Sequence, residues 1–449
     1  MCLFFATPVI IRSNSCIRQS LTRLYVSKPR FASTTAARTN VTRPFEEERL
    51  PWYRADQFYP VHIGETFISR YKVVGKLGYG AYSTVWLCRD LNRASDFVSV
   101  KVCTSHGAAS MGQDRELKFY EYIASLGSQH PGQAYIRGLL ETFEISGPTG
   151  KHLCLVHPPM HMTIADLQRQ NPSKRLNQDL LNWTLFNLLS ALSFLHDEAH
   201  VVHTGKFREN HVEDDINPSN IMLTIDDESL LPSFEQAEAS DPSPQKFIDD
   251  TRTIYGSRKL GLPKDSLWGQ PVLCDFGEAR IGPGPHKGLI QPELYRAPEV
   301  LFDMGWDSSA DIWNVAAMIW DLFQGRHLFH TLDEDQDVSA THHIAEMMAY
   351  IGMPPPLEYL RRSQVTSHVF DEKAEGKLTC TQASGKLQGG VRIPSQEVMS
   401  LEQAETVLEG EEKKQFLSFV RSMLKWVPEE RPSAEELLRD PWLEGAIPG

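Results

Sequence analysis

Three stretches of this 449-residue chain carry side chains suited to handling phosphate. "GYGAYSTV", residues 78–85, sits between two strand-like runs, and Gly78 and Gly80 there let backbone N–H groups approach an anion. "VSVK" puts the ammonium of Lys101 on the next strand-like run, and "DRELKF" offers Glu116 on a helix to hold it. "LCDFGEAR" supplies Asp275, a carboxylate for Mg2+, directly after an apolar strand. The chemistry these groups share is the binding of a nucleotide's phosphates with a divalent cation. A glycine-rich turn or a strand lysine alone means little; the ordered series carries the weight. It continues with "YRAPEV", with "DIWN", which gives Asp311 at the start of a helix, and with "PEERPSAEELLRDPWL", whose Arg431 is suited to pair with Glu299.

The elements that must position these groups can be read from periodicity. "YKVVGKLGYGAYSTVWLCRD", "FVSVKVC" and "KHLCLVHPPM" are β-branched and aromatic runs, the last stopped by two prolines. "GQDRELKFYEYIASLG" has helical spacing between them. The chain then turns helical: "NQDLLNWTLFNLLSALSFLHDE" sets Leu181, Leu185, Leu188, Leu192 and Leu195 on one stripe, and "SADIWNVAAMIWDLFQG" and "EEKKQFLSFVRSMLKW" follow. The outline is a small β-rich lobe followed by a larger helical one. A polar segment from about 226 to 270, rich in Pro, Ser and acids, reads as a surface insertion.

Composition limits the rest. Hydrophobic residues at 41% and charged residues at 23% describe a globular chain, and no apolar run reaches the roughly 18 residues of a membrane span. The seven cysteines are scattered, with no CxxC pair, and read as reduced packing residues. Residues 1–45 hold seven of the 45 Lys and Arg and no acid, leaving 38 basic against 58 acidic side chains in the remainder. That body disfavours direct nucleic-acid binding and favours basic partners. The acid-free start, rich in Arg, Ser and Thr, has the composition of a mitochondrial presequence or of a disordered basic tail.

The ordered series resembles a eukaryotic protein kinase, and its details are similar to the SR-protein-kinase family. "KLGYGAYSTVWLCRD" looks like that family's phosphate flap, with Ser83 where other kinases have a third glycine; "VVHT", "NIM", "SADIWN" and "LDEDQDVSATHHIAEMMAYIGMPP" look like its later motifs. The similarity covers about residues 52–446. It implies an α+β, two-lobed kinase fold, with a β-rich N-lobe at 71–160 after a lead-in at 46–70, and a larger helical C-lobe at 161–446. It also implies ATP and Mg2+ as cofactors, serine or threonine in Arg/Ser-rich basic proteins as substrate, and residence in cytoplasm and nucleus; the mitochondrion is the expectation only where the N-terminal segment is a presequence and not a basic tail.

The resemblance assigns roles residue by residue. His203 and Thr204 stand where the family's catalytic loop begins, and "DINPSN" supplies Asp215 as the residue that orients the substrate hydroxyl and Asn220 as a second Mg2+ ligand. Asp214 is rejected because only Asp215 stands five residues before Asn220. His203, Glu299, Asp311 and Arg431 are expected in structural roles, His203 packing behind the "DFG" triplet. The family's catalytic-loop lysine is here Asn217, which donates a neutral hydrogen bond without a charge, and the threonine of its P+1 segment is here Pro292. His157 is the expected gatekeeper, with the Pro158 carbonyl and the Met160 N–H facing adenine and Leu77, Val85, Ser99 and Met222 sandwiching it. The run Asp333, Glu334, Asp335, Asp337 lies where the family docks Arg-rich substrates.

Two features set expectations of their own. From Asp275 to Glu299 there is no Ser or Thr, only Tyr295, and Thr204 replaces the arginine that receives a phosphorylated loop in many kinases; an activation segment ordered without phosphorylation is expected. Ten residues, "GKFRENHVED" at 205–214, separate Thr204 from Asp215. A misplacement of about 1 Å costs a catalytic loop on the order of a hundredfold. Gly205-Lys206 can be encoded as GGTAAG, the consensus start of an intron, so the ten residues are expected to be absent from the working enzyme. A looped-out insertion is the other reading, and a catalytically impaired scaffold that binds basic partners is the alternative function.

Overall fold

The β-branched and aromatic residues from Thr66 to His157 pair into one antiparallel sheet of order β1-β2-β3-β4-β6-β5. Its strands are β1 (Thr66–Phe67), β2 (Tyr71–Gly80), β3 (Ser83–Asp90), β4 (Phe97–Cys103), β5 (Glu141–Gly147) and β6 (Gly150–His157), with helix α1 (Ser110–Leu126) between β4 and β5. The structure, a computed structural model, describes residues 43–93, 96–105, 110–204, 218–333, 335, 337–352, 354–366, 370 and 397–444. Most of the acid-free start and all of 205–217, with Asp214, Asp215 and Asn217, fall outside them, as does Glu334. In β4, alternation puts Val98, Val100 and Val102 on one face, in a core with Trp86, Cys88 and Val156, and Ser99 and Lys101 on the other.

The second lobe contains α2 (Ile164–Gln170), α3 (Gln178–Ser193), β7 (Val201–Val202), β8 (Ile221–Ile225), α4 (Leu230–Ser240), β9 (Gln245–Phe247), β10 (Thr253–Tyr255), β11 (Trp268–Leu273), β12 (Arg280–Ile281), α5 (Ser309–Gln324), α6 (Ala340–Ile351) and α7 (Gly410–Met423). The leucine stripe builds α3, capped by Asn177, whose side chain accepts from the Leu180 N–H; Leu195 lies beyond it in a π-turn and is fully buried. Every residue of α5 from Ala310 to Gln324 is buried, so this helix is the axis of the lobe, apolar along that stretch except at Asp311, Asn314, Asp321 and Gln324. Among the described residues no helix is long and apolar enough to cross a membrane.

The polar insertion differs from a surface loop. Its composition hides an amphipathic helix, α4, whose Phe234 packs with Val74, Leu87, Phe97 and Leu260. A Cβ at Gly75 would meet the Phe234 ring at 2.9 Å, so glycine is what lets the helix approach β2 so closely. The β9–β10 hairpin covers the opposite face, where the Tyr255 ring meets Trp86 edge-on at 5.9 Å. Three acids of the lead-in join it: Glu47 pairs with the fully buried Lys76 of β2, Glu48 with Lys246 at 2.7 Å, and Glu46 accepts from Ser257. Leu230, Leu231 and Phe234 share one helical face, and that spacing outweighed the polar average. The insertion gives way to β11 at Trp268.

Glu299 and Arg431 lock the C-lobe. Their side chains are 1% and 0% exposed and form two parallel bonds of 2.7 Å, with the guanidinium also donating to the Ser309 and Lys425 carbonyls and lying over Trp313. Removing one partner strands a buried charge, at a cost of about 3–5 kcal/mol. Arg431→Met is therefore expected to lower the urea midpoint of unfolding sharply, and replacing Glu299 by Met as well to recover part of the loss. An Arg431→Met variant that unfolds at the parental midpoint would contradict this.

Candidate active site

Lys101 reaches from β4 to α1, where its Nζ donates to Glu116 Oε2 at 2.6 Å. Burial works against the lysine's charge, but the Glu116 carboxylate and then Asp275 outweigh it and hold the ammonium well above its ordinary pKa. Asp275 follows β11 with φ of 61°, in the left-handed region that costs a non-glycine residue energy and recurs at functional sites. The next residue, Phe276, is fully buried and stacks on Phe119 of α1 at 3.9 Å and 8°. The strand-like, helical and "DFG" signals thus converge at one point between the lobes.

Behind Phe276 lies the start of the catalytic loop. The His203 ring meets the Phe276 ring edge-on at 5.2 Å, and its Nε2 lies 3.1 Å from the Cys274 carbonyl. Both residues are fixed by Asp311 at the head of α5: Oδ2 accepts from the His203 N–H at 2.8 Å and Oδ1 from the Thr204 N–H at 2.9 Å. His196 Nε2 is 2.9 Å from Oδ2. Burial pushes the Asp311 pKa up, yet the His196 bond and the two histidines nearby bring it below the ordinary carboxylate value. Asn220 follows the undescribed stretch, its carbonyl accepting from the Cys274 N–H at 2.8 Å. The residue borders, with His203, Asp311 and Asn314, a cavity of about 40 Å³.

The nucleotide end of the cleft is bounded by β2, β3, β6 and β8. The sheet's paired registers end at His157, so the Pro158 carbonyl and the Met160 N–H lie just beyond the ladder. Met160 packs with Met222, Val272 and Cys274. Ser99 is buried opposite both Leu87 and His157 in adjacent strands, and Val85 pairs with Lys101 across β3 and β4. Leu77 leans on the cluster around Phe234, so the insertion helix borders this end too. Ser83 and Gly80 pair at the hairpin, and a Cβ at Gly78, two residues before it, would meet nothing within 4 Å. His157 is fully buried, bonded through Nδ1 to the Gly138 carbonyl, and burial drives its pKa far down. A lysine held charged by a buried carboxylate, with the carboxylate of Asp275 and the amide of Asn220 on either side of the Cys274 backbone bond, offers the donor types that a nucleotide's phosphates and Mg2+ would need.

The activation segment is tied down along its length. β12 pairs with β7, Arg280 opposite Val202. Thr204, with φ of 67°, donates its hydroxyl to the Glu278 carbonyl at 2.7 Å. Gln291 is fully buried between the Ala310 carbonyl and the Ala297 N–H. Tyr295 is also buried, and its hydroxyl donates to Asp321, whose carboxylate is also 2.6 Å from His327 Nδ1. Pro292 caps the turn that carries Tyr295. In the acidic run, Asp333 Oδ1 accepts from the N–H groups of both Asp335 and Asp337 at 3.0 Å, so this carboxylate closes its own turn while Asp335 and Asp337 are exposed.

Sequence reading missed three residues that hold the site: His196, which bonds Asp311, and Arg115 and Glu278, which stand beside Glu116 and after the "DFG" triplet and pair with each other. Arg115 Nη1 donates to Glu278 Oε2 at 2.5 Å. The signal was adjacency, since both stand within three residues of groups already singled out.

Comparison with known proteins fits this geometry. The protein kinase domain pattern matches residues 265–443. A serine/threonine protein kinase of Aspergillus fumigatus is 42% identical over 399 residues, covering 89% of this chain and 90% of that one. The serine/threonine-protein kinase SRPK of Physarum polycephalum is 26% identical, covering 90% and 92%, and the human SRSF protein kinase 3 is 24% identical, covering 89% and 90%. A solved kinase domain superposes with a TM-score of 0.60 over 86% of this chain and 98% of that one at 21% identity, a likeness of fold. The inactive-scaffold alternative finds no support in these relatives. The chain belongs to the serine/threonine protein kinases and is similar to their SR-protein-kinase members.

Proposed function

We propose that this kinase transfers the terminal phosphate of ATP, with Mg2+, to serine in Arg/Ser-rich basic proteins. The observation that carries the substrate reading is the pair of exposed carboxylates, Asp335 and Asp337, held on a tight turn at the edge of a lobe whose chain is strongly acidic. Guanidinium groups pair with such carboxylates through charge-assisted bonds. Lys101, held charged by Glu116, would neutralise the α and β phosphates, and Asp275 and Asn220 would hold the cation. Bound Mg2+ would offset the charge that builds on the phosphate oxygens during transfer. Asp215 would orient the serine hydroxyl, and Asn217 would steady it through a neutral hydrogen bond, with slower transfer than a lysine would give. The Pro158 carbonyl and the Met160 N–H would read the adenine edge, with Leu77, Val85, Ser99 and Met222 around the ring. Residues 205–214 are absent from the active protein on this reading, because the base must lie within hydrogen-bond reach of the hydroxyl.

Phosphotransfer to an Arg/Ser-repeat peptide tests the proposal. Lys101→Met and Asp275→Ala are each expected to abolish turnover, and Asp335→Asn with Asp337→Asn to raise the peptide KM several-fold with little change in kcat. Activity that survives in Asp275→Ala, or equal turnover on an acidic peptide, would contradict it. For the ten extra residues, mass spectrometry of the native enzyme should find no peptide spanning Phe207 to Asp214; its detection in active material would refute that part.

A further inference from the structure

Asp311 and Asn314 stand three residues apart on α5, so they share one face of a helix that is buried from Ala310 to Gln324. Asp311 uses that face to hold the catalytic loop: its two oxygens take the His203 and Thr204 N–H groups, and His196 lies against the second. Asn314 has no such bond. The residue is 4% exposed, and neither its Nδ2 nor its Oδ1 has a hydrogen-bond partner among the described residues. Burying an amide with both atoms unmet is costly, and buried amides are as a rule bonded to protein or to ordered water.

The same residue borders the cavity of about 40 Å³ beside the start of the loop. A water needs about 10–15 Å³ of such space, so there is room for about two. Leu188, Leu192, Ile221, Leu273, Val315 and Met318 around it are apolar, and a cavity bounded by them alone would stay dry. Four polar residues change that: His203, Asn220, Asp311 and Asn314. The bonds of two are directed elsewhere, those of Asp311 to the loop and that of His203 Nε2 to the Cys274 carbonyl at 3.1 Å. Asn314 has a donor and an acceptor to satisfy at once, and water, which both accepts and donates, is the partner that fits. The remaining polar residue, Asn220, stands directly before β8, and Ile221 pairs there with Leu273 of β11. The cavity therefore lies where α5 meets the strand pair that leads to Asn220 and Asp275.

We propose that this cavity is a water site, and that Asn314 acts through the water held there as a positioning residue for Asn220. The proposal rests on the reading of Asn220 as a ligand of the cation. The buried face of α5 is joined to Asn220 by hydrogen bonds that an apolar residue at 314 would not make, and a water bridging two polar groups is nearly as good a link as a direct bond.

Two measurements on the full-length chain test it. A high-resolution crystal structure should show ordered water within about 2.7–3.2 Å of an Asn314 amide atom and in contact with Asn220. A dry cavity, or an Asn314 amide bonded directly to protein, would overturn the proposal. The second measurement is the free Mg2+ concentration that gives half-maximal turnover at saturating ATP and peptide. Asn314→Leu, which fills the space with apolar atoms, is expected to raise it about fivefold, more than it changes kcat at saturating Mg2+; Asn314→Ser, which keeps a hydroxyl for the water, should raise it less. A purely structural loss lowers the amount of active enzyme and leaves that concentration where it was. An unshifted Asn314→Leu variant, or an Asn314→Ser variant shifted as far, would therefore also overturn the proposal. Should Asn314→Leu fail to fold, Asn314→Val takes its place with the same expectation. Asn220→Ala, expected to raise the concentration further or to abolish turnover, is the reference. That outcome beside an unshifted Asn314→Leu removes the water link alone. An unshifted, active Asn220→Ala removes the cation reading of Asn220, and the link's role with it.

Discussion

Asp311 is the one charge on which the cleft depends. A carboxylate this deep is costly to bury, and it is compensated by two backbone N–H groups and the His196 ring. Those same bonds hold Thr204 in the left-handed region, a conformation that a threonine would not keep unaided. Because α5 is packed on every side, the carboxylate cannot move to relieve the loop. The rigid axis of the C-lobe is thereby transmitted to the first residues of the catalytic loop.

From there two routes run to the N-lobe. His203 supports Phe276, which stacks on Phe119 of α1. Thr204 holds Glu278, which holds Arg115 on the same helix. Both end at the contact of 2.6 Å between Glu116 and Lys101. An apolar route and a polar one, starting from one carboxylate, place Lys101, the lysine proposed to pair with the nucleotide's phosphates. The insertion adds a third tie near the hinge through α4, against Leu77 and Leu87.

Much of this was legible in the sequence where a residue type and its spacing carry the chemistry. The strands bearing Gly78 and Lys101, the helix bearing Glu116 and the strand before Asp275 all follow from local pattern, whereas the pairing of Arg431 with Glu299, 132 residues apart, was expected from the ordered series of motifs. What was not legible depends on contacts across long separations. The burial of Lys76 needs Glu47 from the lead-in, and the place of α4 needs a shallow spot on the sheet at Gly75. The insertion looked polar because its apolar residues are few and set at helical spacing. Asp333 looked like one docking acid among four, but a short turn consumed one of its oxygens.

On the proposed reading, the competent arrangement is built into the unmodified chain. The most direct test is the initial rate of phosphotransfer by purified enzyme before and after exhaustive phosphatase treatment. Equal rates to within about twofold, with no lag on addition of ATP, are predicted for a helix set by fixed charge. A drop of about tenfold or more, restored by preincubation with ATP, would contradict it.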